Sequence, residues 1–356
     1  MTRIWRRLSI GGLGVLALAA TSVVAQAGDG VNFKNKRITM LIGYAPGGGT
    51  DAFGRVLATY LAKHLPGQPS IIVKNMPGAN GITGLNYVLS QTKADGMTVI
   101  TGTNSQMDPV NYRRPQSRYT PNDFIYLGGA TRGGYGLVIR SDAVKRLHDK
   151  NAKPVVMGSK GARPNPAMQV TVWGIEILGW NARWVTGYRS TKEIMLALER
   201  GEVDMTATGN LFLLKKMLSG DKYKLVTQSG SLQDGEFMKR PDFGNVPVFA
   251  NLVKAKMSNP MTKSAFDYWL SLSTVDKFLA LKKGTPGPTV AAYRKALNEC
   301  WKDPAFMNAG KKISKELAPM AHEDLESLIV ALANTKPDTM EYMGKVFAKQ
   351  GIQAKK

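Results

Sequence analysis

From Arg37 onward, short runs rich in β-branched residues alternate with blocks whose apolar positions repeat at helical spacing, and this alternation leaves few folds open. "RITMLIGYA" is strand-like and stops at Pro46 and the glycines Gly47, Gly48 and Gly49. Behind them Phe53, Val56, Leu57, Tyr60, Leu61 and Leu65 share one helical face, with Arg55, Thr59 and Lys63 elsewhere. "PSIIVKNMPG", "NGITGLNYVLSQT" and "MTVITGTNS" continue as strand, helix and strand, so the loops after the strands gather on one rim. A second series follows. "FIYLGG", "YGLVIR", "KPVVMGSKG", "ARWVTGY", "VDMTATG" and "YKLVTQSG" read as strands, and "NPAMQVTVWGIEILG" and "STKEIMLALERG" as helices. In the latter, Ser190 is the expected N-cap, Glu193 completes a capping box and Gly201 is the stop. After Phe243 helical blocks surround the strand "KFLALKK". The predicted class is α/β with two lobes, each a mainly parallel sheet flanked by helices. The chain leaves the first lobe near Gly134 and returns near Ser229, giving a discontinuous lobe 1 (residues 28–134 plus 230–356) and a lobe 2 of residues 135–229.

The first residues read differently. Arg3, Arg6 and Arg7 precede the apolar run "IGGLGVLALAA", and Ala25-Gln26-Ala27 fits a small-x-small cleavage site, so residues 1–27 are expected to be a cleaved signal peptide of an exported, periplasmic protein. The run falls short of the roughly 18 apolar residues of a spanning helix. The formal charge is +22, yet the basic residues sit in scattered pairs such as Lys215-Lys216 and Lys311-Lys312. With no basic block and no nucleic-acid motif, the excess points to attraction of anionic solutes and to no nucleic-acid partner. The single cysteine, Cys300, allows no intramolecular disulfide and reads as a buried thiol. His64, His148 and His322 lack ligand spacing, so no metal is expected, and no cofactor motif is present. Without a G-x-S-x-G elbow or a zinc signature the chain reads as a non-enzyme, a hydrolase being the weaker alternative.

The triple glycine lets a ligand reach main-chain amides, and the helix starting near Thr50 leaves its first amides without intrahelical acceptors. That is an anion site made of backbone. Thr50-Asp51 stands where a nucleotide loop needs Lys-Ser/Thr, and Asp51 repels a highly charged anion, which favours a carboxylate over a polyphosphate. "NMPGANG" repeats the chemistry with Gly78 and Gly81, Asn80 being placed to cap the next helix; "TGTNS" offers Thr103, Asn104 and Ser105. "GSKGARPN" and "TGYRS" add Ser159, Lys160, Arg163, Tyr188 and Arg189 from the other lobe. All follow strands, at the ends where open α/β sheets bind ligands. Glycine also serves plain βα turns, so a tight turn is the alternative at each corner.

"ITMLIGYAPGGGTDAFGRVLATYLAKHLPGQPSIIVKNMPGANGITGLNYV" resembles the first lobe of the Bug, or TctC-like, solute receptors of tripartite tricarboxylate transporters, with Pro46-Gly47-Gly48, Asp51 and Asn75 to Gly81 matching that family's two loops. "ALERGEVDMTAT", "NVPVFANL" and "GTPGPTVAAYRKALNECWKDPAF" extend the likeness more weakly over nearly all the mature chain. The resemblance implies a periplasmic Venus-flytrap fold that closes on a small organic acid and delivers it to membrane permease subunits. A periplasmic co-sensor of a two-component system is the alternative. It points to Tyr44, Pro46, Gly47, Gly48, Thr50 and Asp51, with Asp51 a loop-ordering cap, and to Thr103, Asn104, Ser159 and Tyr188. Gly49, Gly78 and Arg189 complete the expected ligand-binding set. The chain departs from the family at Tyr44, where phenylalanine is common, and at Tyr188-Arg189-Ser190, where Y-K-G is usual. Arg163 and Arg189 either grip a second anionic group by a bidentate fork or, the commoner place for arginine, are solvated at the surface.

Overall fold

The computed structural model describes residues 30–131, 133–160, 163–233, 236–314 and 317–352; the expected signal peptide lies outside them. Val31–Lys356 clusters as one unit, with which all that follows is concerned. β1 (Arg37–Ile42) runs into the helix Gly49–His64, as the strand–glycine–helix pattern implies. β2 (Ser70–Asn75), β3 (Thr98–Thr103) and β4 (Phe124–Thr131) follow. Successive β1 side chains alternate between faces, so Ile38, Met40 and Ile42 pack with Phe53, Leu57 and Leu61, while Leu41 packs with Ile82, Leu85 and Ile100. The sheet is therefore covered on both faces, which a largely parallel sheet requires.

The chain then builds a second sheet from β5 (Gly136–Arg140), β6 (Val155–Lys160), β7 (Ala182–Tyr188), β8 (Met205–Thr208) and β9 (Tyr223–Gln228). A hairpin of β10 (Ser231–Gln233) and β11 (Glu236–Met238) precedes the return through β12 (Lys277–Lys282) and β13 (Ala318–Met320) to the first sheet. The strand orders are β13-β4-β12-β3-β1-β2 and β7-β6-β8-β5-β9. β1 to β4 run one way with β12 and β13 reversed, and β6 to β9 run one way with β5 reversed. The α/β class with two helix-flanked sheets stands.

Helices Phe249–Lys254, Pro260–Leu272 and Pro337–Lys349 come after the chain has left the second sheet, yet their apolar faces share its core. A ring cluster holds the first two there. Phe266 lies 5.6 Å from Trp173 and 5.2 Å from Trp269, and Phe249 lies 5.9 Å from Trp269, centroid to centroid. Truncating such a ring to alanine costs about 3–5 kcal/mol.

Local signals fare unevenly. Ser190 caps the helix Thr191–Arg200 by accepting from Glu193 N (3.3 Å), and Gly201 ends it in the left-handed region. The Glu193 carboxylate accepts from Arg189 N (2.9 Å) as well as from the Arg189 side chain. Asn80 does not cap the helix Ile82–Gln91: Gly81 holds that position without a side-chain bond, and Asn80 Nδ2 donates instead to Arg163 O at 2.9 Å. A partner 83 residues away outcompetes the local cap. Cys300 is buried, and that burial pushes its thiol up to about 12, as suits an inert core group.

Two crossovers join the sheets. Tyr135 N donates to Ser229 Oγ and Ser229 N donates to Tyr135 O, both at 2.9 Å, so they lie side by side. Arg240, fully buried, fastens them: its N donates to Gln228 Oε1 (2.7 Å), Nη1 to Gly134 O (3.2 Å), and Nη2 to Asp242 Oδ2 and Ser314 Oγ (each 3.1 Å).

Candidate functional site

In an open α/β sheet a crevice opens where the connections from neighbouring strands diverge to opposite sides. β1 lies between β2 and β3, and β6 between β7 and β8, so each sheet has such a point. The loops beyond these strands meet around a cavity of 390 Å³. Tyr44, Gly49 and Thr50 line it from beyond β1, and Thr103, Asn104 and Ser105 from the end of β3. Lys160 enters from β6, and Thr208 and Asn210 from the end of β8. The crossover residues Gly134, Tyr135, Ser229 and Gly230 close one side, and Asp276 and Lys277 another. This size falls in the range of small-molecule sites, about 300–1,000 Å³.

The wall mixes polar and apolar groups about equally, and its charged lining residues among those described, Lys160, Lys277 and Asp276, leave it on balance positive. The helices Gly49–His64 and Thr191–Arg200 both start at the cavity, at Gly49 and Thr191, presenting first-turn amides and the positive ends of their dipoles. Gly48, the N-cap of the first, is extended (φ −81°) and makes no side-chain cap, so no side chain of that residue stands over those amides. Lys160 brings an ammonium 5.1 Å from the centroid of the Tyr44 ring, a cation–π contact between the two sheets. Lys277, only 2% exposed, pairs with Asp276 at 2.8 Å.

A second set of groups holds the rim in shape. Gly47 takes φ +79°, a conformation suited to glycine, and its amide donates to Asp51 Oδ2 at 2.9 Å. Asp51 also accepts from Arg55 Nε (3.0 Å) and Asn75 Nδ2 (2.9 Å), and Asn75 Nδ2 donates to Tyr44 O (2.9 Å). Burial raises the Asp51 pKa, but the bonds from Arg55, Gly47 and Asn75 outweigh it and leave the carboxyl below its ordinary value. Tyr44 donates to Asn80 O (3.0 Å) with the Thr103 hydroxyl 2.9 Å away, and Thr103 N donates to Gln106 Oε1 (2.6 Å). Asn104 Nδ2 donates to Leu272 O (3.2 Å) and Val275 O (2.9 Å).

Of the residues expected from the sequence, Tyr44, Gly49, Thr50, Thr103 and Asn104 come together on the large cavity. Gly78, Tyr188 and Arg189 line a smaller one of 180 Å³, which shares Tyr44 and Lys160 with the first. Arg189 is largely exposed and bonded to Glu193 at 3.0 Å. Pro46, Gly47, Gly48, Asp51 and Ser159 line neither: Pro46 and Gly47 are exposed, Asp51 is spent on the loop, and Ser159 is buried within β6. Arg163 lies off both cavities, 5.7 Å from the centroid of the Phe347 ring. Sequence reasoning missed Tyr135, Asn210, Ser229, Asp276 and Lys277. Only Asn210 had a local signal, the Thr-Gly-Asn that ends β8; its side chain accepts from Leu213 N at 3.2 Å. The described residues hold no cluster able to bind a metal and no helix long and apolar enough to cross a membrane.

No family model matches the chain. A UPF0065 protein from Cupriavidus necator is 36% identical over 132 residues, which is 36% of this chain and 37% of that protein. BugT of Bordetella pertussis is 35% identical over 86 residues, 24% of this chain and 26% of BugT. The matched stretches thus span well under half of either relative. Among solved structures, the periplasmic binding protein BugD shares 20% identity with a TM-score of 0.67, covering 89% of this chain and 98% of BugD. A protein from Rhodopseudomonas palustris with adipate gives 19%, 0.66, 88% and 97%, and MatC from the same organism with bound malate gives 18%, 0.61, 85% and 99%. The chain is Bug/TctC-like in fold, and none of these five carries the name of an enzyme.

Proposed function

We propose that this chain, Bug/TctC-like in fold, is a periplasmic binding protein that captures a small organic acid. What supports the reading most is the cavity wall, where Gly49 and Thr50, first residues of the helix Gly49–His64 whose amides lack intrahelical acceptors, meet Lys160 from the second sheet. Amides and lysines hold a carboxylate by charge-assisted hydrogen bonds without requiring a metal. That relatives of this fold are solved with malate and adipate supports the same ligand class here. In this reading residues 1–27 are removed on export, and lobes of residues 28–134 plus 230–356 and 135–229 close on the acid about the two crossovers. The helices within residues 249–272 and 337–349 ride on the second sheet's core. The loaded protein then delivers its acid to membrane permease subunits of a tripartite tricarboxylate-type transporter.

Proline tests the amide role cleanly. Gly49 is the first helical residue, where proline's missing N–H and fixed φ are tolerated, and the extended Gly48 suits a residue before proline. Gly49→Pro is expected to weaken binding of adipate or malate by roughly 10- to 100-fold, the worth of one hydrogen bond to a charged group, with the melting temperature unchanged. Isothermal titration calorimetry with both acids reads this directly, and an unchanged affinity in the folded variant removes the amides from the site.

A further inference from the structure

The loop after β2 holds two consecutive non-glycine residues in the left-handed region, Ala79 (φ +47°) and Asn80 (φ +58°). Asparagine tolerates that region better than most residues, but two such residues in a row mark a backbone held there by its surroundings. Asn80 is polar yet only 4% exposed, and its bonds run away from its own loop. Its carbonyl accepts from Tyr44 OH at 3.0 Å, and Tyr44 lines the large cavity. Its Nδ2 donates at 2.9 Å to Arg163 O, which lies beyond β6 of the second sheet. That acceptor is firmly mounted. In the turn behind it Asn165 O accepts from Met168 N at 2.9 Å, and Pro166 O accepts at 2.8 Å from Nε1 of Trp269, a residue of the second sheet's core. Lys160, on the same loop as Arg163, stands over the Tyr44 ring, so this loop of the second lobe meets the first lobe at both Tyr44 and Asn80.

We propose that Asn80 is a positioning residue for ligand capture: its side-chain amide clasps Arg163 O when the lobes close and keeps the acid in by keeping the cleft shut. This rests on the carboxylate reading above and goes beyond it by assigning a bond between the lobes that forms on closure and acts on the ligand only through the cleft. The bond runs from a loop of one sheet to a loop of the other, so opening breaks it. In the open form water satisfies Nδ2 and Arg163 O; closure strips that water away, and the bond replaces it. Release requires opening, so the clasp slows dissociation and leaves association, which starts from the open form, nearly untouched.

Asn80→Gly removes the amide and suits the left-handed backbone, so the loop keeps its shape. Calorimetry with malate and adipate gives affinities, exchange NMR of the isotope-labelled acids gives dissociation rates, and thermal melting of the ligand-free protein reports the fold. The expected result is roughly a three- to tenfold loss on each acid that binds, the worth of one neutral hydrogen bond and similar for the short acid and the long one. Faster dissociation carries the loss, with association changed by less than about twofold. The melting temperature falls by no more than about 2 °C. Equal affinity of wild type and variant overturns the proposal. So does a loss that falls on association or comes with a larger drop in melting temperature, which marks a merely structural loop, and so does a loss confined to one acid when both bind, which marks direct contact. A wild type that binds neither acid overturns the carboxylate reading and this proposal with it, whereas normal binding with no Asn80 effect overturns this proposal alone.

Discussion

Replacing Arg240 with methionine is expected to cost about 3–5 kcal/mol of stability, the usual effect of removing one partner from a buried ion pair. The guanidinium is fully buried, 4.3 Å from the centroid of the Phe243 ring, and reaches Asp242, Gly134 O and Ser314 together. Methionine fills similar volume but supplies no donor, so Asp242, only 4% exposed in its side chain, loses that cation and Gly134 O loses its bond. Urea unfolding followed by circular dichroism measures the effect. Methionine variants within about 1 kcal/mol of wild type would mean that the crossovers are held by packing alone.

The second large effect concerns Asp108, which is fully buried between the two sheets' elements. Tyr268 OH donates to Oδ1 at 2.5 Å, Val110 N at 2.9 Å, and Asn111 Nδ2 reaches Oδ2 at 3.4 Å, with Gln169 and Arg163 also facing it. Burial is the largest influence and raises the carboxyl to about 6, against the pull of these donors and of Arg163. The folded chain therefore keeps a proton that the unfolded chain releases between about pH 4 and pH 6, and stability falls as pH rises through that window. The contribution is about 3 kcal/mol. Asp108→Asn, which cannot ionise, is expected to gain that amount on the wild type between pH 4 and pH 7 in paired urea titrations. A difference between the two proteins that does not move with pH would contradict the shifted carboxyl.

The fold was legible because its strands announce themselves by apolar runs ending in glycine, and the order of those runs carries the two-sheet plan. What periodicity does not carry is which core a helix joins. Phe249, Phe266 and Trp269 show a helical face, but nothing local says that it packs beside Trp173 on the helix Val170–Leu178, in the core of the second sheet. The site divides the same way. Tyr44, Gly49, Thr50 and Thr103 lie beside strand ends that a sequence displays, whereas Tyr135, Ser229 and Lys277 reach the cavity only through the crossovers and the return of β12. Asn80 misled for a related reason: a good local cap was spent on a carbonyl across the cleft.

The central claim, that the cavity between the sheets holds a small organic acid, is tested most directly by native mass spectrometry of freshly purified protein. The account predicts a species heavier than the chain by one such acid, released on unfolding and restored when malate or adipate is added back to the refolded protein. A chain that carries nothing, and that gains no mass when both acids are supplied, would contradict it.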